Sequence, residues 1–446
     1  MPRPNEMDAA MKTRFRWIAA HGIVRHMLTR AARGGDLQAM LLADPSARAD
    51  PQQVFETIRA SGPLVKTRIN HISVSHRVAH DLLRSDNFRV TELGANLPGP
   101  LRWAERRTRS TALHPLKPSS LLAVEPPEHT RYRKLVSSVF TPRAVARMRE
   151  MVQGKADSLL DEMSSGAGEI DIIDKYCAQL PVAVISTILG VPDNERQRVL
   201  EFGEQAAPSL DIGLSWDQFR RVEDVLERFD AWLANHLDEL RRNPGDDLMS
   251  ELIMATDEGV GLTNDELRAT AGLVLAAGFE TTVNLLGNGI RLLLDNPDQL
   301  DILQQDPALW PNAVEEMLRL ESPVQLTARR AKHDLTLEGR SLAQGDHVVL
   351  ILAGANRDPE VFDDPYRFDV TRENANKHLS FSGGRHYCLG ASLAKAETEV
   401  GLKTLFERFP HITSAGDAVR RDTRVLHGWS TLPVDLGRPT TMKSHQ

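Results

Sequence analysis

Ten residues, FSGGRHYCLG from Phe381 to Gly390, decide how this chain reads. They hold Cys388, one of only two cysteines, among three glycines and a run of polar residues. Glycines let a backbone turn tightly and come close to a flat partner. A helix starting just after the cysteine, near Ala391, would aim its positive end at the sulfur and favour the thiolate. A lone cysteine is more often an inert core residue. The surroundings must therefore choose between the two readings.

The loop fits F-x-x-G-x-[HR]-x-C-x-G through Phe381, Gly384, His386, Cys388 and Gly390. That pattern resembles the haem-binding signature of the cytochrome P-450 family. Four further stretches resemble the family in its order, over roughly residues 120 to 435, with a bacterial, soluble character. The resemblance implies a mainly α fold with small β-sheets (α+β), the cytochrome P-450 fold, with a long central helix over haem b. Cys388 would be the iron ligand, with Phe381 and Gly390 shaping its loop.

The first stretch is Ala277-Gly278-Phe279-Glu280-Thr281-Thr282. It falls on a helix that a Thr263/Glu266 capping box should start and Pro297 should stop. Residues 264 to 295 would span about 48 Å. Adjacent helix positions point about 100° apart, so Glu280 and Thr281 cannot share a task. By the resemblance Ala277 borders the cofactor, Thr281 hydrogen-bonds dioxygen, and Glu280 leads to a polar proton route. Thr281 could instead bond back to a carbonyl one turn earlier.

The second is Glu316-Met317-Leu318-Arg319, an E-x-x-R 72 positions before the cysteine. The same spacing recurs at Glu128/Arg131, Glu195/Arg198 and Glu239/Arg242. Such pairs are usually solvated and worth little. The family locks one of them to a later arginine, which implies a structural brace of Glu316, Arg319 and Arg367, with Arg372 as the alternative. The third stretch, Glu125 to Arg133, places His129 and Arg133 on one helix face. The fourth offers Arg329, ahead of the first strand. With His386, these cations would hold the haem propionates.

Composition narrows the rest. The 446 residues carry a net charge of −7, which argues against a nucleic-acid binder. Cys177 and Cys388 form no framework and suggest a reducing, cytoplasmic setting. No Walker loop, HExxH or GxSxG occurs. No uninterrupted apolar run reaches the length of a membrane span. The expected organisation is a basic amphipathic extension, residues 1–35, and a single domain, residues 36–446.

Between Asp8 and Asp36 there is no acid, but Lys12, Arg14, Arg16, Arg25, Arg30 and Arg33 alternate with apolar residues. Residues 12–33 could contact a membrane peripherally or pack on the body. The implied activity is a monooxygenase acting on an apolar small molecule, fed by a ferredoxin and its NAD(P)H reductase. The chain is expected to be monomeric. Arg131, Lys134, Arg385 and Lys395 are candidate contacts for the ferredoxin. Peroxide-driven oxidation, ring coupling or desaturation, and a non-enzymatic haem sensor are the rival readings.

Overall fold

The computed structural model describes residues 4–91, 113–117, 119–139, 142–164, 168–256 and 259–439. The part of the 96–122 loop before residue 113 lies outside them. Among the described residues helices dominate, with four small sheets beside them. The largest sheet runs Val65–Lys66, His71–Ser73, His347–Ile351, Leu326–Ala331, Phe88–Val90, and only its His71–Ser73/His347–Ile351 pair is parallel. The expected mainly α architecture with small sheets is what the chain adopts.

The Thr263/Glu266 capping box forms as expected: the Glu266 N–H donates to Thr263 Oγ1 at 3.3 Å, and the Thr263 N–H to Glu266 Oε2 at 2.9 Å. The expected single helix is in fact two, Asn264–Gly278 and Glu280–Asp295, broken at Phe279. Its ring is wholly buried against the Arg196–Ala206 helix. A Cβ on Gly203 would sit 1.8 Å from Phe279 Cε1, so only glycine lets that ring in. By length and composition residues 264–295 could cross a membrane, although no uninterrupted apolar run reveals it. Most of the stretch is buried inside the protein, as befits a core helix.

Around this helix lies one large apolar core. It includes Leu180 and Tyr176, Val225 and Phe229, Leu286 and Ile290, Val314, Leu402 and Phe406. Phe381 and Leu389 of the cysteine loop pack on the same core, which ties that loop to the central helix. Cys177 is fully buried, and burial pushes its thiol well up, so it stays an uncharged core residue. Residues Leu335–Leu337 and Arg340–Leu342 form a hairpin that turns on Glu338 and Gly339, both at positive φ. The terminal helix, Ala391–Arg408, starts just after Cys388 and crosses under the central helix.

Candidate active site

The brace shows how the fold holds the cysteine loop. Arg319 grips Glu316 through two contacts, Nε to Oε2 at 2.6 Å and Nη2 to Oε1 at 2.8 Å, and neither side chain is exposed. Spare Arg319 hydrogens go to the carbonyls of Asn356 (3.0 Å), Pro365 (2.7 Å) and Arg367 (3.1 Å). The second cation on Glu316 is Arg372, with Nε 3.1 Å from Oε1. The expectation of Arg367 is therefore corrected. Arg367 offers only its carbonyl, and its side chain faces solvent. The reason is the course of the chain. Phe368 is drawn into the core, the Asp369 N–H donates to Glu316, and a turn from Asp369 to Arg372 folds the later arginine back.

From the brace a set of hydrogen bonds leads to the backbone of the cysteine. Ser380 Oγ donates to the Leu318 carbonyl at 2.6 Å, and the Asn356 side chain both donates to Ser380 Oγ and accepts from the Leu379 N–H. One residue on, the Phe381 carbonyl accepts the Cys388 N–H at 3.0 Å. Burial raises the Cys388 thiol, while the Gly390 N–H and the charge of Arg133 pull it down. The residue nonetheless keeps accessible surface, though it lies deep among protein atoms.

On the other side of Glu125 the basic groups gather. His129 is buried with its ring 4.4 Å from that of His386. Burial, with the charges of His386 and Arg133, lowers His129 to about 4. Arg329 is buried and lowered to about 10 by desolvation; Nη2 reaches Ser382 Oγ at 3.4 Å. Its neighbour Arg330 turns away, to the Gly345 carbonyl. His386 Nε2 lies 3.7 Å from Glu125 Oε1, beyond hydrogen-bond range, and has no other partner. His129, Arg133, His386 and Arg329 thus gather about a single carboxylate, Glu125. Such a cluster is short of negative charge. Two further carboxylates, as haem carries, would complement it.

The central helix divides its two polar residues as their spacing demands. Glu280 is 2% exposed, and burial raises its carboxyl to about 7. Arg421 Nη1 stands 2.7 Å from Glu280 Oε1 but off the line of an N–H, so the two pair by charge and not by hydrogen bond. Sequence reading missed Arg421. It lies 141 positions away, outside every motif read from the sequence. Arg421 also lines an open pocket of about 300 Å³, with Glu204, Gln218 and Ser430. Thr281 is half-buried, and its Oγ1 donates to the Ala277 carbonyl at 2.8 Å. The back-bond considered from sequence is therefore present. It occupies the hydroxyl's proton and leaves its lone pairs able to accept. Ala277 and Gly278 keep exposed surface on an otherwise buried helix.

The family model described as Cytochrome P450 matches residues 102–433. The chain belongs to the cytochrome P-450 family. It is 58% identical to cytochrome P450 140 of Mycobacterium tuberculosis over 437 residues, 97% of this chain and 100% of the relative. It is 42% identical over 318 residues to 6-deoxyerythronolide B hydroxylase of Saccharopolyspora erythraea, covering 70% of this chain and 76% of that one. Among solved structures, Mycobacterium smegmatis CYP164A2 in its ligand-free state superposes with a TM-score of 0.78 at 35% identity, over 90% of this chain and 99% of the other. The protein is thus an oxidoreductase of the monooxygenase class, and P-450 proteins carry haem b on a cysteine thiolate. The residues present fit that group: a cysteine that keeps accessible surface, and a set of basic side chains with Glu125 among them as their carboxylate.

Three of the candidate ferredoxin contacts are already engaged in ion pairs. Arg131 pairs with Glu266 at 2.5 Å, and Lys395 with Glu315 at 2.9 Å. Arg385 pairs with Asp86 and Glu125.

Proposed function

We propose that this P-450 inserts one oxygen atom from O2 into a C–H bond of an apolar small molecule. Two electrons and two protons reduce the second oxygen atom to water. The single observation that carries this reading is Glu280. It is a buried acid on the core helix, raised by burial to about 7 and paired with Arg421, which lines an open pocket. A group with a pKa near the working pH can both take and give a proton. A haem sensor, which delivers no protons to oxygen, has no use for it.

Haem b, when bound, supplies oxygen activation, and its thiolate ligand favours O–O cleavage. Cys388 is the ligand we assign, supported by the loop motif and the brace behind it. His129, Arg133, Arg329 and His386 hold the propionates, and Phe381, Gly390 and Ala277 border the macrocycle. Glu280 relays protons from the Arg421–Glu204 pocket. Thr281, its proton spent on Ala277, accepts a hydrogen bond at the active centre. Glu316, Arg319 and Arg372 are structural.

Electrons come from a ferredoxin and its NAD(P)H reductase, and the chain acts in the cytoplasm as a monomer with peripheral membrane contact. Residues 1–35 form an extension to a single domain, residues 36–446. Names among the relatives favour a bulky apolar substrate: one is a 6-deoxyerythronolide B hydroxylase and another a polyketide biosynthesis cytochrome P-450.

The test is product formation from a panel of polyketide, fatty-acid, steroid and terpene compounds with ferredoxin, reductase and NAD(P)H. Oxygen-dependent hydroxylation is expected. Turnover with hydrogen peroxide alone would instead favour the peroxide reading. Cys388→Ser should lose the red-shifted Soret band of the ferrous carbonyl complex.

A further inference from the structure

The N-terminal segment is one continuous helical rod in three parts: Pro4–Trp17, a π turn at Ile18–Gly22, and Ile23–Arg33. One side is fastened to the body. Trp17 Nε1 donates to the Leu214 carbonyl at 3.0 Å, and its ring meets Trp216 edge-on. Arg16 pairs with Glu223 at 2.5 Å, and Arg25 donates to the Gly213 carbonyl at 3.3 Å. His21, Leu28 and Ala31 are buried.

The other side carries large apolar residues in the open: Met11 (68% exposed), Phe15, Ile18, Ile23 and Met27 (53%). Met11, Phe15 and Ile18 are spaced i, i+4, i+7, the rhythm of one helix face. Continued unchanged, that rhythm would next reach Gly22 and His26. The π turn inserts one residue, with the Ile23 N–H donating back five positions to the Ile18 carbonyl. The stripe therefore resumes at Ile23 and Met27. The turn keeps the outward stripe apolar for its full length.

We infer that this outer face docks on an anionic lipid surface. Charge chooses the partner. No acid occurs between Asp8 and Asp36, while the segment carries six Lys and Arg residues, in a chain of net charge −7. Arg14, Arg25, Arg30 and Arg33 are exposed. Shape agrees. A convex ridge of about 24 Å, at 1.5 Å per residue over 16 steps, sinks into a headgroup layer without needing a complementary groove. The rod is fixed to Gly213, Leu214 and Trp216, next to exposed Ile212. Docking therefore brings that loop to the lipid.

The experiment is flotation of full-length holoenzyme with vesicles of phosphatidylcholine alone or mixed with phosphatidylglycerol. We expect binding to the mixed vesicles, weakened by salt. A Phe15→Asp/Ile18→Asp/Met27→Asp variant should bind about tenfold less or weaker, with an unchanged carbonyl spectrum. A milder Phe15→Ser/Met27→Ser pair keeps the test open should the charges disturb the rod. Failure of wild type to float, or equal flotation of the stripe variants, overturns the inference. So does sedimentation showing that the stripe holds two copies of the chain together or binds an acidic protein in place of lipid. Turnover of a soluble substrate without vesicles should be the same in all variants. Its absence in wild type would instead count against the functional reading.

Discussion

The same i, i+3 spacing, glutamate to arginine, gives two different objects in this chain. At Glu239/Arg242 it is a surface pair at 3.0 Å, with the side chains 54% and 70% exposed, and Glu195/Arg198 is similar. At Glu316/Arg319 both side chains are sealed off, and Arg319 also serves three backbone carbonyls. In water such a pair gains little, because solvent screens it and the side chains lose freedom. In the interior each charge must be fully partnered, and the loss of one leaves the other stranded. The lesson is that the motif has no intrinsic worth. Its value comes from the carbonyls and the second arginine that the fold brings to it.

The sharpest way to break the comparison is Glu316→Ala. It strands Arg319 and Arg372 and should cost about 3–5 kcal/mol, with loss of haem incorporation read from the carbonyl spectrum. A holoprotein of normal stability would show that burial does not distinguish the two copies. Next, Arg372→Ala should cost about 1.5–3 kcal/mol, the scale of hydrogen bonds to charged groups. Arg367→Ala, which keeps its carbonyl, should stay near wild type in urea unfolding. Equal losses would restore Arg367 to the brace.

Gly203→Ala tests whether the apolar core is as intolerant as the polar one. The new methyl meets Phe279 head-on, and an overpacked core costs about 1–3 kcal/mol. A thermal scan checks it.

Glu280 and Arg421 form a third kind of pair, buried but poorly aligned, and they can be told apart by pH. The Glu280 carboxyl is raised from 4.5 to about 7 by burial. The folded state then holds its proton more tightly than the unfolded state does. Its contribution to stability is complete below pH 4.5 and is lost as pH rises through about 7. Between those limits Glu280→Gln should remove a slope of up to about 1.4 kcal/mol per pH unit. It should also remove a limb near pH 7 from the turnover profile. Identical profiles would end its assignment as proton carrier. Smallest of all, Glu239→Ala should change stability by no more than about 0.5 kcal/mol.

How much of this was legible before folding depended on the range of the interaction. The Thr263/Glu266 cap and the helix after Cys388 are set by neighbours in sequence. Each formed where its residues said. The cysteine motif is local too, and it disclosed the family. The E-x-x-R spacing was visible but ambiguous, and Glu56/Arg59 carries it as well without attracting notice.

What only the tertiary structure decided is the set of partners drawn from far along the chain. The sequence could not choose Arg372 over Arg367, because the choice turns on which way the backbone bends after Phe368. It could not find Arg421 for Glu280, nor show that Phe279 interrupts the helix to fill the space beside Gly203. Local hydrogen bonding and periodicity are written in adjacent residues. Desolvation, close packing and charge pairing arise when distant segments share a small volume, and they fix which of several equally spelled residues does the work.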